Sequence, residues 1–140
     1  MLATDHAPHT LEEKQQPCEA ALFGLPLVQF AVQSALERVH AGQITLERLV
    51  VAICHTPAQL FNVKDRKFLR EGMWADLNLF DPIRPQTVWR SDVLSRCGWS
   101  PYEGVTFQSS IASTFISGQP VWRQGNLDDS VCGQPLEFDR

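Results

Sequence analysis

The hydrophobic pattern of this chain changes period once, near Val63, and that change limits the fold to helices followed by strands. Before it, Leu25, Val28, Val32, Ala35, Leu36 and Val39 recur at the steps that line one helix face. Pro26 suits the first turn of that helix, where a missing N–H costs nothing, and Gly42 stops it. A second helix is expected over 45–54, with Thr45 as N-cap and Leu46, Leu49, Val50 and Ile53 as its buried stripe. Thr56-Pro57 then restarts a short helix over 58–61, with Thr56 as cap. After Val63 partial alternation takes over. Residues 74–81 read as a strand closed by Pro82, and 87–89 as another. Residues 107–116, the Ser117-Gly118 turn and residues 120–123 read as a hairpin. Residues 128–140 read as a loose tail.

Composition excludes several function classes. The chain has 140 residues, 44% hydrophobic and 20% charged, which suffices for a core and does not suggest disorder. Its net charge is -4 and it has no Lys/Arg run, so no nucleic-acid partner is expected. Residues 46–54 form the longest apolar candidate, and Glu47 and Arg48 interrupt it. A span needs about 20 apolar residues, so no membrane is expected either. The first residues have neither a basic nor an apolar region of a signal peptide, which makes a cytoplasmic protein the expectation. Cys18, Cys54, Cys97 and Cys132 form no CxxC pair, which excludes a zinc ribbon. They read as reduced thiols, each behaving as a small buried hydrophobe.

Residues 1–23 are poor in periodicity and dense in chemistry, and read as a strand end followed by a long loop. Asp5-His6-Ala7-Pro8-His9 holds one carboxylate and two imidazoles, with Pro8 stiffening the turn between them. A carboxylate at a strand end can ligate a metal and shuttle a proton, and a nearby imidazole can hold an anionic group. Spacing alone leaves a second reading open, a capping Asp with surface histidines. Glu12, Glu13 and Lys14 read as a solvated loop face, and Asp76 and Asp81, which flank a strand, as solvated or turn residues. His40 and His55 read as structural histidines near helix ends, and His6 as structural or supporting, with a direct role as the alternative. Trp74, Trp89, Trp99 and Trp122 read as core or interdomain packing.

The wording of the motifs narrows this. Thr4-Asp5-His6-Ala7-Pro8-His9-Thr10 resembles the segment after the last barrel strand of dihydroorotases. These are amidohydrolases built on a (β/α)₈ barrel with a zinc site. At the position of His9, allantoinases tend to carry Cys and dihydropyrimidinases an aromatic residue. Glu12-Glu13-Lys14, Gln16-Pro17 and Phe23-Gly24 continue the resemblance. Residues 70–77, the segment Gly98-Trp99-Ser100-Pro101-Tyr102-Glu103-Gly104 and Gly118-Gln119-Pro120-Val121 follow in the family's order. Leu22 stands where a Pro often precedes Phe-Gly.

The resemblance implies an α/β fold: the C-terminal end of a (β/α)₈ amidohydrolase barrel over residues 1–63, strands of a small β-sandwich over 64–127, and a tail over 128–140. It implies that Asp5 is both metal ligand and general base and acid. It gives His9 the substrate carboxylate, and gives the pyrimidine ring to the backbone of Phe23 and Gly24. The substrate is then dihydroorotate or N-carbamoyl-aspartate, the cofactor one or two zinc ions in the complete enzyme, and a homo-oligomer of that enzyme is compatible with it. The family's H-x-H pair, its other metal ligands and its substrate-gripping Arg and Asn are absent, and a full barrel takes about 250 residues. The expectation is therefore a dihydroorotase fragment that binds zinc poorly and is inactive alone. The alternatives are a non-catalytic dihydroorotase-like protein supporting a partner, and another cyclic amidohydrolase of allantoinase or hydantoinase type.

Overall fold

In the computed structural model, which describes residues 1–139, helices precede strands in the expected order. Where a long loop is expected, α1 (Leu11–Lys14) forms. The N–H of Glu13 donates to Thr10 Oγ1 at 3.3 Å, and the N–H of Thr10 donates to Glu13 Oε2 at 2.7 Å. This reciprocal box holds a helix too short to persist by propensity. Glu12, Glu13 and Lys14 are therefore a capped turn of helix and not a loop face.

A 3₁₀ turn, Val28–Phe30, leads into α2 (Ala31–His40). The helix starts later than the Pro26 position suggests. Gly24 has φ +106, and Leu25 is engaged in a parallel bridge with His6. At the other end, Gly42 N–H bonds Val39 O and Gln43 N–H bonds Arg38 O, both at 2.9 Å. With Gly42 at φ +67 this is a Schellman stop, and His40 is the last helical residue.

Thr45 caps α3 (Leu46–Val50), accepting from Arg48 N–H at 3.2 Å. The expected break at residue 55 does not occur. A π-helical turn, Val51–His55, joins α3 directly to α4 (Thr56–Leu60), and Thr56, at φ -61 and ψ -48, is helical and caps nothing. His55 thus lies inside a continuous run, with its ring 4.8 Å from that of Phe68. Pro57 explains the turn. In the π register Thr56 N–H reaches Val51 O, and the next acceptor, Ala52 O, faces a residue without an N–H. Leu2 N–H takes that free carbonyl at 2.9 Å and ties the start of the chain to the helix.

Six strands follow among the described residues: β1 (Leu77–Asp81), β2 (Gln86–Thr87), β3 (Thr106–Phe107), β4 (Ser110–Ile116), β5 (Gln119–Arg123) and β6 (Asn126–Leu127). β1, β4, β5 and β6 form an antiparallel sheet in that order, and β2 pairs with β3. Ser117 (φ 52) and Gly118 (φ 82) make the expected tight turn, in the form that matches strand twist. Gln124 and Gly125 repeat it at φ 47 and 95 and deliver β6. A bulge between Leu79 and Phe80 breaks the pairing with β4, and Phe80 packs onto the Ala35, Leu36 and Leu49 cluster between α2 and α3. A second cluster holds Phe30, Val88 and Phe107, with Tyr102 against it.

Three expectations are corrected. The tryptophans are not core residues, although packing against another domain stays open: Trp74 and Trp89 are exposed, and Trp99 and Trp122 are half-buried and use their N–H groups. All cysteines are free, but Cys18, Cys54 and Cys132 are exposed and Cys97 is only half-buried. The tail is not loose at its far end. Phe138 bridges Val63, and Asp139 N–H bonds Asn62 O at 2.9 Å. Arg140, its last residue, lies outside the described residues.

Asp81 is a turn residue as expected, accepting from Ile83 N–H at 3.1 Å. Asp76 does more than flank a strand. It pairs with Arg66 and accepts Ser117 N–H at 2.7 Å, pinning the β4–β5 turn. No helix among the described residues is long and apolar enough to cross a membrane. The chain exposes 9769 Å² at 15.8 kDa. A compact monomer of that mass exposes about 7,300 Å², and large apolar side chains such as Phe23, Leu69 and Ile83 are exposed here.

Candidate functional site

Anchored by Leu2, the chain runs to Asp5, whose backbone adopts φ +49. A left-handed carboxylate residue costs about 1 kcal/mol and persists where neighbours over-determine it. Among the described residues no hydrogen bond reaches the exposed Asp5 carboxylate.

The neighbours are the next residues. His6 bridges Leu25 in parallel, and Ala7 N–H donates to Leu25 O at 3.1 Å. The Nδ1 atom of His6 accepts Val28 N–H at 3.2 Å, which satisfies the first donor of the 3₁₀ turn. In this structure His6 ties its own segment to the 3₁₀ turn. Residues 5–9 therefore lie alongside 23–25, and two separate stretches of candidate residues meet. Gly24 is required at the crossing for a reason the sequence did not supply. A Cβ there would overlap the Cβ of Ala7, and φ +106 is itself unfavourable for any side chain. Phe23 beside it is 90% exposed, its ring packed on nothing. Lys14 Nζ donates to Leu22 O at 2.6 Å and ties this stretch to α1.

His9 is half-buried and held on three sides. Its N–H donates to Ala7 O at 3.0 Å, its C=O accepts Trp99 Nε1–H at 2.8 Å, and its Nδ1 lies 3.8 Å from Glu13 Oε2. The Glu13 carboxyl is held below its ordinary value, first by Thr10 N–H, then by the Thr10 hydroxyl, with a smaller push from His9. Sequence reasoning did not single out Trp99, Glu13 or Lys14 as partners of the site. The available signal was that all three sit in segments sharing one family resemblance with residues 4–10.

A cleft of 320 Å³ adjoins the motif, lined by His6, Pro26, Phe30, Leu94 and Trp99. A larger one of 650 Å³ lies between α2 and the sheet, lined by Gln29, Val32, Arg84 and Trp122. It includes none of Asp5, His9, Phe23 and Gly24, so size does not mark the site here. Among the described residues no group of three His, Cys, Asp or Glu side chains is placed to hold a metal. Asp5 is one potential ligand, and catalytic metal sites use three or more. The residues of this chain by themselves do not fit a metal centre.

No family model matches the chain. It is 33% identical over 135 residues to a dihydroorotase of Pyrococcus furiosus, covering 96% of this chain and 30% of that protein. It is 34% identical over 122 residues to a dihydroorotase of Halobacterium salinarum, covering 87% of this chain and 29% of that one. The chain thus spans only 30% and 29% of the lengths of these relatives. Among solved structures, a D-hydantoinase (dihydropyrimidinase) from Thermus sp. superposes with TM-score 0.77 at 22% identity, over 89% of this chain and 28% of its own. An L-hydantoinase (dihydropyrimidinase) from Arthrobacter aurescens superposes with TM-score 0.73 at 28% identity, over 78% of this chain and 25% of its own.

Proposed function

We propose that this chain, related by sequence to the dihydroorotases, contributes one wall of a dihydroorotase active site. The complete enzyme reversibly hydrolyses the ring amide of dihydroorotate to N-carbamoyl-L-aspartate. One observation carries this reading: the chain is 33% identical to a dihydroorotase over 135 residues, 96% of its own length. The packing of residues 5–9 against 23–25 supports it, because the proposed substrate contacts then share one edge.

Asp5 accepts a proton from the attacking water and returns it to the leaving ring nitrogen. Asp5 would also give one ligand to a zinc centre whose other ligands come from the rest of the enzyme, since the residues of this chain alone do not fit that metal. His9 binds the substrate carboxylate, and the backbone of Phe23 and Gly24 meets the pyrimidine ring. In this reading residues 1–63 close a (β/α)₈ barrel, 64–127 belong to a flanking β-sandwich, and the uncovered apolar surface faces the rest of that fold. The chain alone is inactive. The setting is cytoplasmic, and the ligand is a small molecule.

A second reading is a hydantoinase-type hydrolase, favoured by the 28% identity to the L-hydantoinase over 78% of the chain. His9 and residues 98–104 favour dihydroorotate. The retained Asp5 counts against a purely supporting protein. The test is a chimaera in which this chain replaces the matching 135-residue segment of the Pyrococcus furiosus dihydroorotase. Turnover of dihydroorotate in preference to hydantoin and allantoin is expected, with His9→Ala acting mainly on KM. Preference for hydantoin or allantoin would overturn the reading.

A further inference from the structure

We infer that Trp99 is a positioning residue for His9, its indole N–H fixing the backbone from which the imidazole meets the substrate carboxylate. The inference rests on the reading of His9 as the carboxylate contact. Indole has one polar atom, a donor, and here it is spent on His9 O at 2.8 Å. The residue is half-buried on a loop and belongs to neither core cluster, so a phenyl ring would supply the same apolar contact there. Only Trp adds the N–H.

The loop that carries Trp99 is fastened to the interior. Ser100, 6% exposed, accepts Tyr102 N–H at 3.2 Å through its hydroxyl oxygen. The Tyr102 hydroxyl donates to Ser34 Oγ of α2 at 3.0 Å, and its ring packs on Phe30 and Phe107. On the other side Gly98 N–H bonds Ser95 O at 3.0 Å. Trp99 is thus a rigid arm from the Phe30–Phe107 cluster to His9. The His9 peptide needs such an arm, because His9 N–H and Ala7 O close a tight turn and Thr10 leaves it extended as the cap of α1.

The experiment is NMR of the full chain, wild type against Trp99→Phe. The variant is expected to shift the His9 ring and amide signals and speed His9 amide exchange about tenfold, with β4 and β5 signals unchanged. Unchanged His9 signals would overturn the inference. Should the variant not fold, the wild-type Trp99 indole N–H decides. Protection supports the inference, and exchange at the rate of free indole overturns it. In the chimaera described above, Trp99→Phe is expected to raise KM for dihydroorotate about tenfold with kcat within about twofold. A merely structural loss would lower the active fraction and leave KM alone, and that result would count against the inference. A chimaera without any turnover refutes the functional reading, while the NMR result still decides for or against the positioning role.

Discussion

The amide N–H of Leu2 donates to the carbonyl of Ala52 at 2.9 Å, an acceptor that Pro57, without an N–H, does not occupy. A helical residue near the middle of the chain thereby sets the path of the segment that carries Asp5. Pro57→Ala restores a donor and removes a helix-interior proline, worth up to about 3 kcal/mol to the helix. The urea midpoint is expected to rise while Leu2 amide exchange quickens. A lower midpoint with Leu2 still protected would contradict this origin of the π-helical turn.

Gly24→Ala is expected to destabilise the chain by about 2 kcal/mol or more, from positive φ and overlap with Ala7 together. Denaturant unfolding reads the loss. Because Ala7 pairs with Leu25, the His6 and Val28 signals should move as well. A neutral substitution would show that residues 5–9 and 23–25 are not in register.

The pH dependence of α1 follows from Glu13, whose carboxyl is held below its ordinary value of 4.5 by Thr10. A depressed carboxylate contributes stability that is present above its unfolded pKa and is lost as pH falls through its folded pKa. The Thr10 cap should therefore survive to below pH 4.5 and fail only on further acidification. Carboxyl ¹³C titration of Glu13 checks it, and Thr10→Ala should move the titration upward. A Glu13 that titrates above its ordinary value would contradict the capping box.

Burial around the thiol pushes the Cys54 pKa up, although much of the residue is at the surface. The thiolate is the reactive form, so iodoacetamide near pH 8 should modify Cys18 and Cys132 before Cys54. Peptide mapping of a time course reads the order. Fastest labelling at Cys54 would contradict its placement in the π-helical turn.

Legibility in the sequence followed the range of the forces involved. Thr45, Gly42 and the Ser117-Gly118 turn act on their immediate neighbours, and the elements they bound were readable from spacing. Pro57 was read as a helix restart because its local signal, Thr before Pro, is the same whether the chain breaks or widens into a π register. The docked tail and β6 were missed because each makes only a few backbone bonds and shows no period. At the site, Asp5 and His9 were visible as chemistry. Gly24 was visible too, as part of the family resemblance, but its close contact with Ala7 was not. The bond from Trp99 to His9 is not legible in the sequence, because the two residues lie far apart in it and no spacing rule reports a bond between loops.

The central claim is that Asp5 is the catalytic carboxylate of a dihydroorotase site that this chain only partly supplies. Its most direct test is dihydroorotate hydrolysis by three samples with zinc present: the purified chain, the Pyrococcus furiosus chimaera, and the chimaera carrying Asp5→Asn. The account predicts no turnover by the chain, turnover by the chimaera, and a loss of about 10³-fold or more in kcat with Asp5→Asn. Turnover by the chain alone that is sensitive to Asp5→Asn, or a chimaera indifferent to that substitution, would contradict it.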